Sequence, residues 1–422
     1  MHNSGGKKVC FVFTKQFPFG IQEAYLLDEA PFLAQYFDHV YYVPHAEFKF
    51  NSQQLRIELN DHIEVVNLNS NVNSLGVMAR IKSVGAILSL LAWDVCTSRE
   101  KGKTIRKSFQ NMLRLYHYFA SARILRSIIK RHEHDEKVFY HYWLHDGMII
   151  QKLAQGVWNE NAGFTIARAH SLDLYHKNWP LKSYLPYEKI KFYMADHVAS
   201  ISYHGWKHME NTFPDRAMHF SHRPLGVLDL EWNKERKGHP EALIVTVSWV
   251  SQLKRLDRVM CLMEALPKNF KWVHIGSGDD EIIKNIQSRC ELNQVQFESL
   301  GYLPKQEVYS FFKSHHVAFF CNMSIWEGVP VSLMEAAMLG IPMIVSDIPG
   351  NREIVEHQEN GWVVSGDDWS AEVVSEIVST FENEEKWKQK SQAARNTFDL
   401  KYNALKNYTS FYDFVKEESS KW

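Results

Sequence analysis

The sequence predicts an α/β protein of two doubly wound, Rossmann-like domains with a cleft between them. Three observations lead to this prediction. The chain has 422 residues, which is more than a single hydrophobic core usually supports. Short β-rich runs alternate with longer helical patterns, as expected for parallel strands in βαβ units. The polar segment NKERKGHP, residues 233–240, holds Gly238 and Pro240 between two such series and is typical of an interdomain linker.

The predicted strands fall into two groups along the chain. The first comprises KVCFVFT (8–14), HVYYVP (39–44), KVFYHYW (137–143), FTIARAH (164–170) and HVASIS (197–202). The second comprises ALIVTVSWV (242–250), FKWVHIGSG (270–278), VQFESLGYL (295–303), HVAFFCN (316–322) and PMIVSD (342–347). We therefore expect an N-terminal domain over 1–232 and a C-terminal domain over 241–400. The segment 401–422 is predicted to be helical, and packing back on the N-terminal domain is one option for it. Ligands are expected at the carboxyl ends of strands that face the cleft.

The composition narrows the possible classes of protein. A formal net charge of −1 argues against a general nucleic-acid binder. Five scattered cysteines without metal-type spacing are typical of a reduced, cytoplasmic protein. The N-terminus lacks the apolar core of a signal peptide. The longest apolar run, VGAILSLLAW at 84–93, is about half of the ~20 residues that span a bilayer. An integral membrane protein is therefore not expected.

The charge is unevenly distributed. Residues 77–131 hold twelve lysines and arginines against Asp94 and Glu100, a local net charge of +10. One interpretation is a pair of ordinary solvated helices. The other is docking on an anionic membrane surface, at the inner face of the cell membrane. The sequence leaves both open.

The segment SIWEGVPVSLMEAAMLGIPMIVSDIPGNREIV, from residue 324, places two glutamates around a helix N-terminus. Pro330 suits the first helical position, and Gly328 allows close approach of a ligand to the backbone. The helix N-terminus offers unpaired N–H groups to an anion. Glu327 lies just before it and Glu335 a turn or so inside, which favours a diphosphate flanked by hydroxyl-rich groups. Alternatively, the two carboxylates belong to a solvated helix face and to the helix dipole.

Two more strand ends carry candidate groups. In VSWVSQLKRLDRVM (247–260), Lys254 and Arg255 follow a strand and precede a helix, although an exposed basic loop is an equal alternative. In HIGSGDDEI (274–282), Gly276 lies in a glycine turn that only weakly resembles a dinucleotide fingerprint. Asp279 and Asp280 are interpreted as helix caps rather than metal ligands.

These motifs together resemble glycosyltransferase family 4, retaining enzymes of the GT-B fold. The resemblance runs through VSWVSQLKRLDRVM, WVHIGSGDDE, LGYLPKQEVYSFF, WEGVPVSLMEAAMLGIPMIVSDIPGNREIV and ENGWVV. The N-terminal half is similar to bacterial polysaccharide and colanic-acid-type members in FPFGIQEAYLLDEAPFL, RAHSLDLYHKNW, SISYHGWKHM and RPLGV. Many members carry an arginine early in the second-domain loop, where this sequence has Ser248 and Trp249. Whether Arg255 replaces that arginine is open.

The resemblance implies a role for each matching residue. Glu335 would bind the ribose hydroxyls and Glu327 would face the transferred sugar. Lys254 would neutralise the leaving phosphates together with Arg255, in place of a metal ion. The further donor-binding residues implied are Gly276, Gly328, Val329, Pro330 and Val331.

The N-terminal half contributes the remaining candidates. His170 would lie beside the donor sugar, although a hydrogen-bonded core histidine is the alternative from the residues alone. Gly20, Glu23 and Arg168 are predicted to contact the acceptor or line the cleft. For the YHYWLHDG stretch around His145, core packing is favoured.

The function expected from the resemblance is transfer of a sugar in bacterial surface polysaccharide synthesis. The donor is a nucleotide-sugar, with UDP favoured over GDP, and the acceptor is a saccharide or a lipid-linked glycan. No cofactor, metal or nucleic acid is expected. The alternatives are a GT-B epimerase or nucleotide-sugar hydrolase, and a non-enzymatic saccharide-binding scaffold.

Overall fold

A computed structural model describes most of the chain as two compact units. The described residues are 6–20, 23, 25–45, 55–69, 84–85, 88–92, 112–156, 163–175, 188–230, 239–366 and 369–421. Unit 1 comprises residues 1–223 and 408–422, and unit 2 comprises residues 224–407. Each unit is described by itself below.

In the described part of unit 1, seven parallel strands form one sheet. They are β1 Lys8–Thr14, β2 His39–Pro44, β3 Ile63–Val65, β4 Glu136–His141, β5 Phe164–Ala169, β6 His197–Ser200 and β7 Phe220–His222, in the spatial order β3-β2-β1-β4-β5-β6-β7. The helices are α1 Leu26–Tyr36, α2 Met112–Arg131, α3 Gly147–Gln155, α4 Ser171–Tyr175, α5 Glu188–Met194 and α6 Tyr203–Thr212. The central strands are buried nearly throughout, as expected for a parallel sheet covered on both faces.

In the described part of unit 2, six parallel strands form a second sheet. They are β8 Glu241–Val247, β9 Lys271–Ile275, β10 Gln296–Ser299, β11 Val317–Asn322, β12 Met343–Ser346 and β13 Gly361–Val364, in the order β10-β9-β8-β11-β12-β13. The helices are α7 Leu256–Ala265, α8 Asp280–Leu292, α9 Lys305–Ser314, α10 Val331–Met338, α11 Pro349–Arg352, α12 Ala371–Glu382 and α13 Glu384–Thr397. The strand order reverses between β8 and β11, and ligands of such sheets bind at the carboxyl ends beside that point.

Local chemistry explains where several helices begin. The Asp279 carboxylate accepts hydrogen bonds from the first-turn amides of α8, and the Ser202 hydroxyl does the same for α6. Asp279 is therefore a cap, as predicted. A last helix, α14 Ala404–Ser419, begins in unit 2 and ends in unit 1.

The predicted α/β class with two parallel sheets is confirmed, with differences at the sheet edges. The strands β3, β7 and β13 were not predicted, and each is an edge strand of at most four residues. The strand predicted over 242–250 ends at Val247, and Trp249, which is 58% exposed, lies in the loop that follows. Pro330 is the residue before α10 rather than its first residue. Most of the predicted linker at 233–240 lies outside the described residues.

Three further findings concern the described residues alone. They contain no helix long and apolar enough to cross a membrane. They also contain no cluster of histidine, cysteine and carboxylate side chains arranged to hold a metal ion. Their four cysteines are free thiols. Much of the basic stretch 77–131 lies outside the described residues, but α2 is within them.

Candidate active site

The loop between β11 and α10 presents Glu327 at the carboxyl edge of the unit 2 sheet. Its carboxylate forms an ion pair with the Lys254 ammonium, and both side chains are partly exposed. The same carboxylate oxygen, Oε1, accepts a hydrogen bond of 2.8 Å from the hydroxyl of Ser324. Lys254 reaches this position because it ends the short 3₁₀ turn that follows β8, the strand beside β11. The structure therefore brings together two of the predicted residues that are 73 positions apart in the chain.

The second glutamate, Glu335, lies inside α10 and also has a lysine beside it. Its Oε1 accepts a hydrogen bond of 3.1 Å from the Tyr309 hydroxyl and lies 3.6 Å from the Lys305 ammonium. Lys305 and Tyr309 are four residues apart on α9, so they share one face of that helix. Sequence reasoning missed both, although they lie in the LGYLPKQEVYSFF segment that carries the family resemblance.

The N-terminus of α10 separates the two glutamates. Pro330 precedes the helix in an extended conformation and has no N–H group, and the first-turn amides of a helix have no intrahelical partner. Gly328 lies close to a neighbouring turn: a Cβ on Gly350 would come within 2.1 Å of the Gly328 carbonyl oxygen. Val329 is buried, and Val331 begins the helix. This geometry suits an anion.

Arg255 has a different environment from Lys254. It adopts a left-handed backbone conformation with φ of 46°, and its guanidinium donates to both carboxylate oxygens of Asp257. It also lines a cavity of about 400 Å³ at the carboxyl ends of β11, β12 and β13. Arg258, which sequence reasoning missed, lines the same cavity although it is largely buried. The sequence offered one indication of this: Arg258 follows Arg255 by three residues, a spacing that places two side chains on the same face of a helix.

Gly276 holds backbone segments together. A Cβ at this position would lie 1.8 Å from the Ser248 carbonyl oxygen, so only glycine fits. Its amide donates a hydrogen bond of 2.8 Å to the Gly301 carbonyl. The structure thus places Gly276 where the loops after β8, β9 and β10 meet, with its N–H group already hydrogen-bonded.

In unit 1, His170 follows directly after β5. Its Nε2 donates to the Tyr142 carbonyl at 2.9 Å, so the lone pair of the neutral ring is on Nδ1. The ring lies 4.1 Å from the Trp143 ring, centre to centre. Burial, with the nearby Arg168 charge, lowers the pKa of His170 to about 3. The imidazole is therefore neutral throughout the physiological pH range.

The other predicted residues of unit 1 lie in its interior or in its loops. Glu23 is 1% exposed, and its carboxylate accepts hydrogen bonds from three successive amides, Lys15 to Phe17, and from the Trp143 indole. Its acceptor capacity is used within the protein, which leaves little for a saccharide. Gly20 has a φ of 65° in the same loop, which glycine adopts readily.

Arg168 differs most from its predicted role. The guanidinium is fully buried, forms an ion pair with Glu29 at 3.4 Å and donates to the Tyr140 hydroxyl at 2.6 Å. The Tyr412 hydroxyl donates to the same Glu29 oxygen at 2.7 Å. This network leaves no face of the guanidinium for a ligand. The structure therefore places Arg168 in the core, where it joins α14 to β5.

The histidines of the 140–147 stretch also lie inside unit 1. His141 stacks on Phe13 and is bonded through Nε2 to Gln151 at 2.7 Å. Burial lowers the pKa of His141 to about 3.

Asp146, in the same stretch, is also bonded within unit 1. Its carboxylate accepts a hydrogen bond from the Tyr118 hydroxyl and forms an ion pair with Lys191.

Unit 2 resembles a known protein family. The model of the family described as "Glycosyl transferases group 1" matches residues 230–397. The matched residues lie within unit 2 and make up less than half of the chain. The finer assignment to glycosyltransferase family 4 stays a prediction.

Two curated proteins that this chain resembles come from bacteria. The amylovoran biosynthesis glycosyltransferase AmsK of Erwinia amylovora is 26% identical over 155 residues, which is 36% of this chain and 34% of AmsK. The O-antigen biosynthesis glycosyltransferase WbnH of Escherichia coli is 28% identical over 172 residues, 40% of this chain and 46% of WbnH. The chain thus spans about a third to a half of the length of these relatives.

Solved structures match over nearly the whole chain. HepE of Anabaena, in complex with UDP and glucose, superimposes with a TM-score of 0.66 at 13% identity, covering 97% of this chain and 99% of HepE. TarM gives a TM-score of 0.67 at 12% identity, covering 98% of this chain and all of TarM. At such low identity the likeness shows the fold alone, and that fold is GT-B.

Proposed function

We propose that this protein is a retaining glycosyltransferase that moves a sugar from a UDP-sugar to a saccharide or lipid-linked acceptor in bacterial surface polysaccharide synthesis. The observation that carries the proposal is the arrangement of two glutamates around the N-terminus of α10, each with a lysine partner. A glycosyl transferases group 1 domain surrounds them.

The two ion pairs suggest how a donor would bind. A diphosphate at the N-terminus of α10 would take the Lys254 ammonium from Glu327, which would then accept a hydrogen bond from a sugar hydroxyl. The ribose hydroxyls would donate to Glu335 beside Tyr309. Fixed donors at developing negative charge commonly contribute about 3 to 4 kcal/mol each to lowering a barrier. Lys254 would stabilise the departing diphosphate in this way.

The reaction we propose is same-face attack, in which the departing phosphate accepts the acceptor proton. This route follows from the family resemblance. His170 fits it as a neutral group, because Nε2 is bonded to the Tyr142 carbonyl and Nδ1 remains an acceptor for a sugar hydroxyl. An imidazole with a pKa of about 3 would not act as a proton donor near neutral pH.

The choice of UDP rests on the solved relatives. HepE has been crystallised with UDP and with UDP-glucose. GDP-sugars gain no support from these complexes. The acceptor proposal rests on curated relatives whose names refer to amylovoran and O-antigen biosynthesis.

The alternatives make different products. An epimerase or hydrolase would consume the donor at full rate without an acceptor. A binding scaffold would retain saccharide affinity without turnover, but it has no need for lysines beside both glutamates.

A donor screen tests the proposal. Release of nucleotide from UDP-, GDP- and ADP-sugars should be measured with and without saccharide acceptors, together with the thermal shift caused by each free nucleotide. We expect stabilisation by UDP and acceptor-stimulated release from one UDP-sugar. The anomeric configuration of the product, read by NMR, distinguishes retention from inversion. Absence of a shift with UDP would contradict the donor assignment.

We also propose peripheral attachment to an anionic membrane through the basic stretch 77–131. Within the described residues, α2 supports it with five exposed cations, namely Arg114, Arg123, Arg126, Lys130 and Arg131. Each basic residue near an anionic leaflet gains about 1 kcal/mol. Co-sedimentation with phosphatidylserine vesicles should fall with salt and on reversing three of these arginines to glutamate. Equal recovery with neutral vesicles would contradict attachment by charge.

A further inference from the structure

Glu327 is held by a neutral group as well as by a lysine. Oε1 accepts from both Lys254 and the Ser324 hydroxyl, whereas no described residue donates a hydrogen bond to Oε2. The side chain is 16% exposed, so the second oxygen is available to a ligand. One carboxylate oxygen is thus fixed by the protein and the other is left for substrate.

Ser324 is itself held by other polar groups. Its hydroxyl lies between Glu327 Oε1, at 2.8 Å, and the Asn322 side-chain oxygen, at 2.6 Å, and that Asn322 oxygen also accepts from the Ser324 amide at 3.0 Å. The Ser346 hydroxyl donates to the Ser324 carbonyl at 2.5 Å. The Asn351 side-chain amide donates to the carbonyl and the hydroxyl oxygen of Ser346, both at 3.0 Å. Ser324 and Asn351 are fully buried, and Ser346 is 3% exposed. These hydrogen bonds therefore run from α11 through the end of β12 to the Ser324 backbone, and the side chain of Ser324 contacts the carboxylate of Glu327.

Backbone packing supports the same loop. A Cβ on Gly350 would come within 2.1 Å of the Gly328 carbonyl oxygen and 2.7 Å of the Glu327 carbonyl oxygen. The turn that carries Asn351 therefore lies directly against the Glu327–Gly328 backbone, and it can move little without moving Glu327.

We infer that Ser324, Ser346 and Asn351 are positioning residues that set the orientation of Glu327 for the reacting sugar. The inference rests on the proposed function, because Glu327 is the group that would meet the donor sugar. Side chains locked by a second layer of hydrogen bonds are more precisely oriented than side chains held by one ion pair. The ion pair alone is insufficient, since the diphosphate would compete for Lys254 at the moment when Glu327 must stay in place.

These hydrogen bonds also affect nucleotide binding. Without the Ser324 hydroxyl, Oε1 keeps only Lys254 as a partner, so the ammonium is drawn more strongly to Glu327 and away from a diphosphate. Removal of the hydroxyl should therefore lower both the turnover rate and, to a smaller extent, the affinity for UDP.

The test uses Ser324→Ala and Asn351→Ala in the full chain, with UDP-glucose and UDP as probes. Loss of one hydrogen bond to a charged group should lower kcat about tenfold for Ser324→Ala, with KM for UDP-glucose changed about twofold. The affinity for UDP, by calorimetry, should fall by about threefold. In a Glu327→Ala background, Ser324→Ala should cause no further change in either quantity.

Asn360→Ala is the matched control. Asn360 is equally buried in unit 2 and donates to the Ile354 carbonyl and the Thr397 hydroxyl, away from Glu327. It should lower the thermal midpoint as much as Asn351→Ala while leaving kcat and UDP affinity unchanged. A Ser324→Ala variant with wild-type kcat and UDP affinity overturns the inference. So does an effect that persists undiminished in the Glu327→Ala background. A wild-type chain that neither binds UDP nor releases it from any UDP-sugar would instead contradict the proposed function.

Discussion

The carboxyl edges of the two sheets carry charged pairs in contrasting environments. In unit 1, Arg168 and Glu29 are both fully buried. In unit 2, the side chains of Lys254 and Glu327 are 26% and 16% exposed. When water reaches a lysine and a carboxylate, the ion pair can separate and each group can bind a ligand instead, with little loss of free energy. A fully desolvated pair cannot, because separating it leaves an uncompensated buried charge.

The two glutamates are each hydrogen-bonded through one oxygen, but to different kinds of partner. One oxygen of Glu29 accepts from Arg168 and from the hydroxyls of Tyr140 and Tyr412. Such a network fixes the packing of α14 on unit 1. Glu327 is also bonded through one oxygen only, among the described residues, but its side chain is partly exposed, so the other oxygen keeps a position for a substrate hydroxyl. Burial therefore separates the scaffold pair from the candidate functional pair.

Acid should destabilise unit 1 more than unit 2, and this is the largest effect we expect. Burial lowers the pKa of His141, His170 and His197 in unit 1 to about 3, and that of His274 in unit 2 to about 4. Because these pKa values are depressed in the folded protein, the same histidines take up protons in the unfolded chain, below about pH 6.5, before they do so in the folded protein. Stability is complete above that pH and decreases below it, by about 2 kcal/mol per histidine at pH 5.

Urea unfolding from pH 8 to pH 5, followed with probes in each unit, measures this difference. His197→Gln removes one of the buried histidines of unit 1 and should reduce the loss of stability of that unit at pH 5 by about 2 kcal/mol. A pH-independent stability of unit 1 above pH 5 would contradict the burial of these rings.

Breaking the buried pair should reduce stability without removing the donor site. Arg168→Met leaves Glu29 charged and unpaired, so unit 1 should lose about 3 to 5 kcal/mol. The matched control is Lys271→Met, which breaks an exposed pair with Glu298 and should cost less than about 1 kcal/mol. UDP affinity of the folded Arg168→Met protein should be unchanged. If the folded Arg168→Met protein bound UDP much more weakly than the wild type, Arg168 would belong to the ligand site and its assignment to the core would be contradicted.

Breaking the exposed pair should have the opposite outcome. Lys254→Ala should lower turnover about a hundredfold or more while changing stability little, because the cation acts on charge that develops in the reaction. Arg255→Ala should have a smaller effect, since Asp257 already binds its guanidinium. EDTA should leave wild-type turnover unchanged. Activity lost with EDTA and restored by magnesium or manganese would show that a metal ion performs the role assigned to Lys254.

The elements that could be predicted from the sequence are those with a long or distinctive pattern. The long buried strands were predicted because apolar runs separated by helical patterns are unambiguous in a parallel sheet. The strands β3, β7 and β13 were missed because edge strands of three or four residues carry little periodicity. The glutamate pair was found because a glycine, a proline and a helix start fixed its context.

Burial of polar groups could not be read from the sequence. Arg168 and His170 share a strand end, and residue type does not reveal that a glutamate from α1 neutralises Arg168 in the core. Lys305 and Tyr309 were missed for a related reason. Their connection to Glu335 depends on which face of α9 lies against α10, which only tertiary packing decides.

The central claim is that the lysine-paired glutamates of unit 2 form a nucleotide site. Calorimetry with UDP on the wild type, Glu335→Ala and Glu264→Ala tests it most directly. Glu264 is a matched control, because it is also a partly exposed helical glutamate in an ion pair, with Arg289. We expect the wild type and Glu264→Ala to bind UDP equally, and Glu335→Ala to bind it at least about tenfold more weakly, through loss of the ribose hydrogen bonds. Equal UDP affinity in all three proteins would contradict the account.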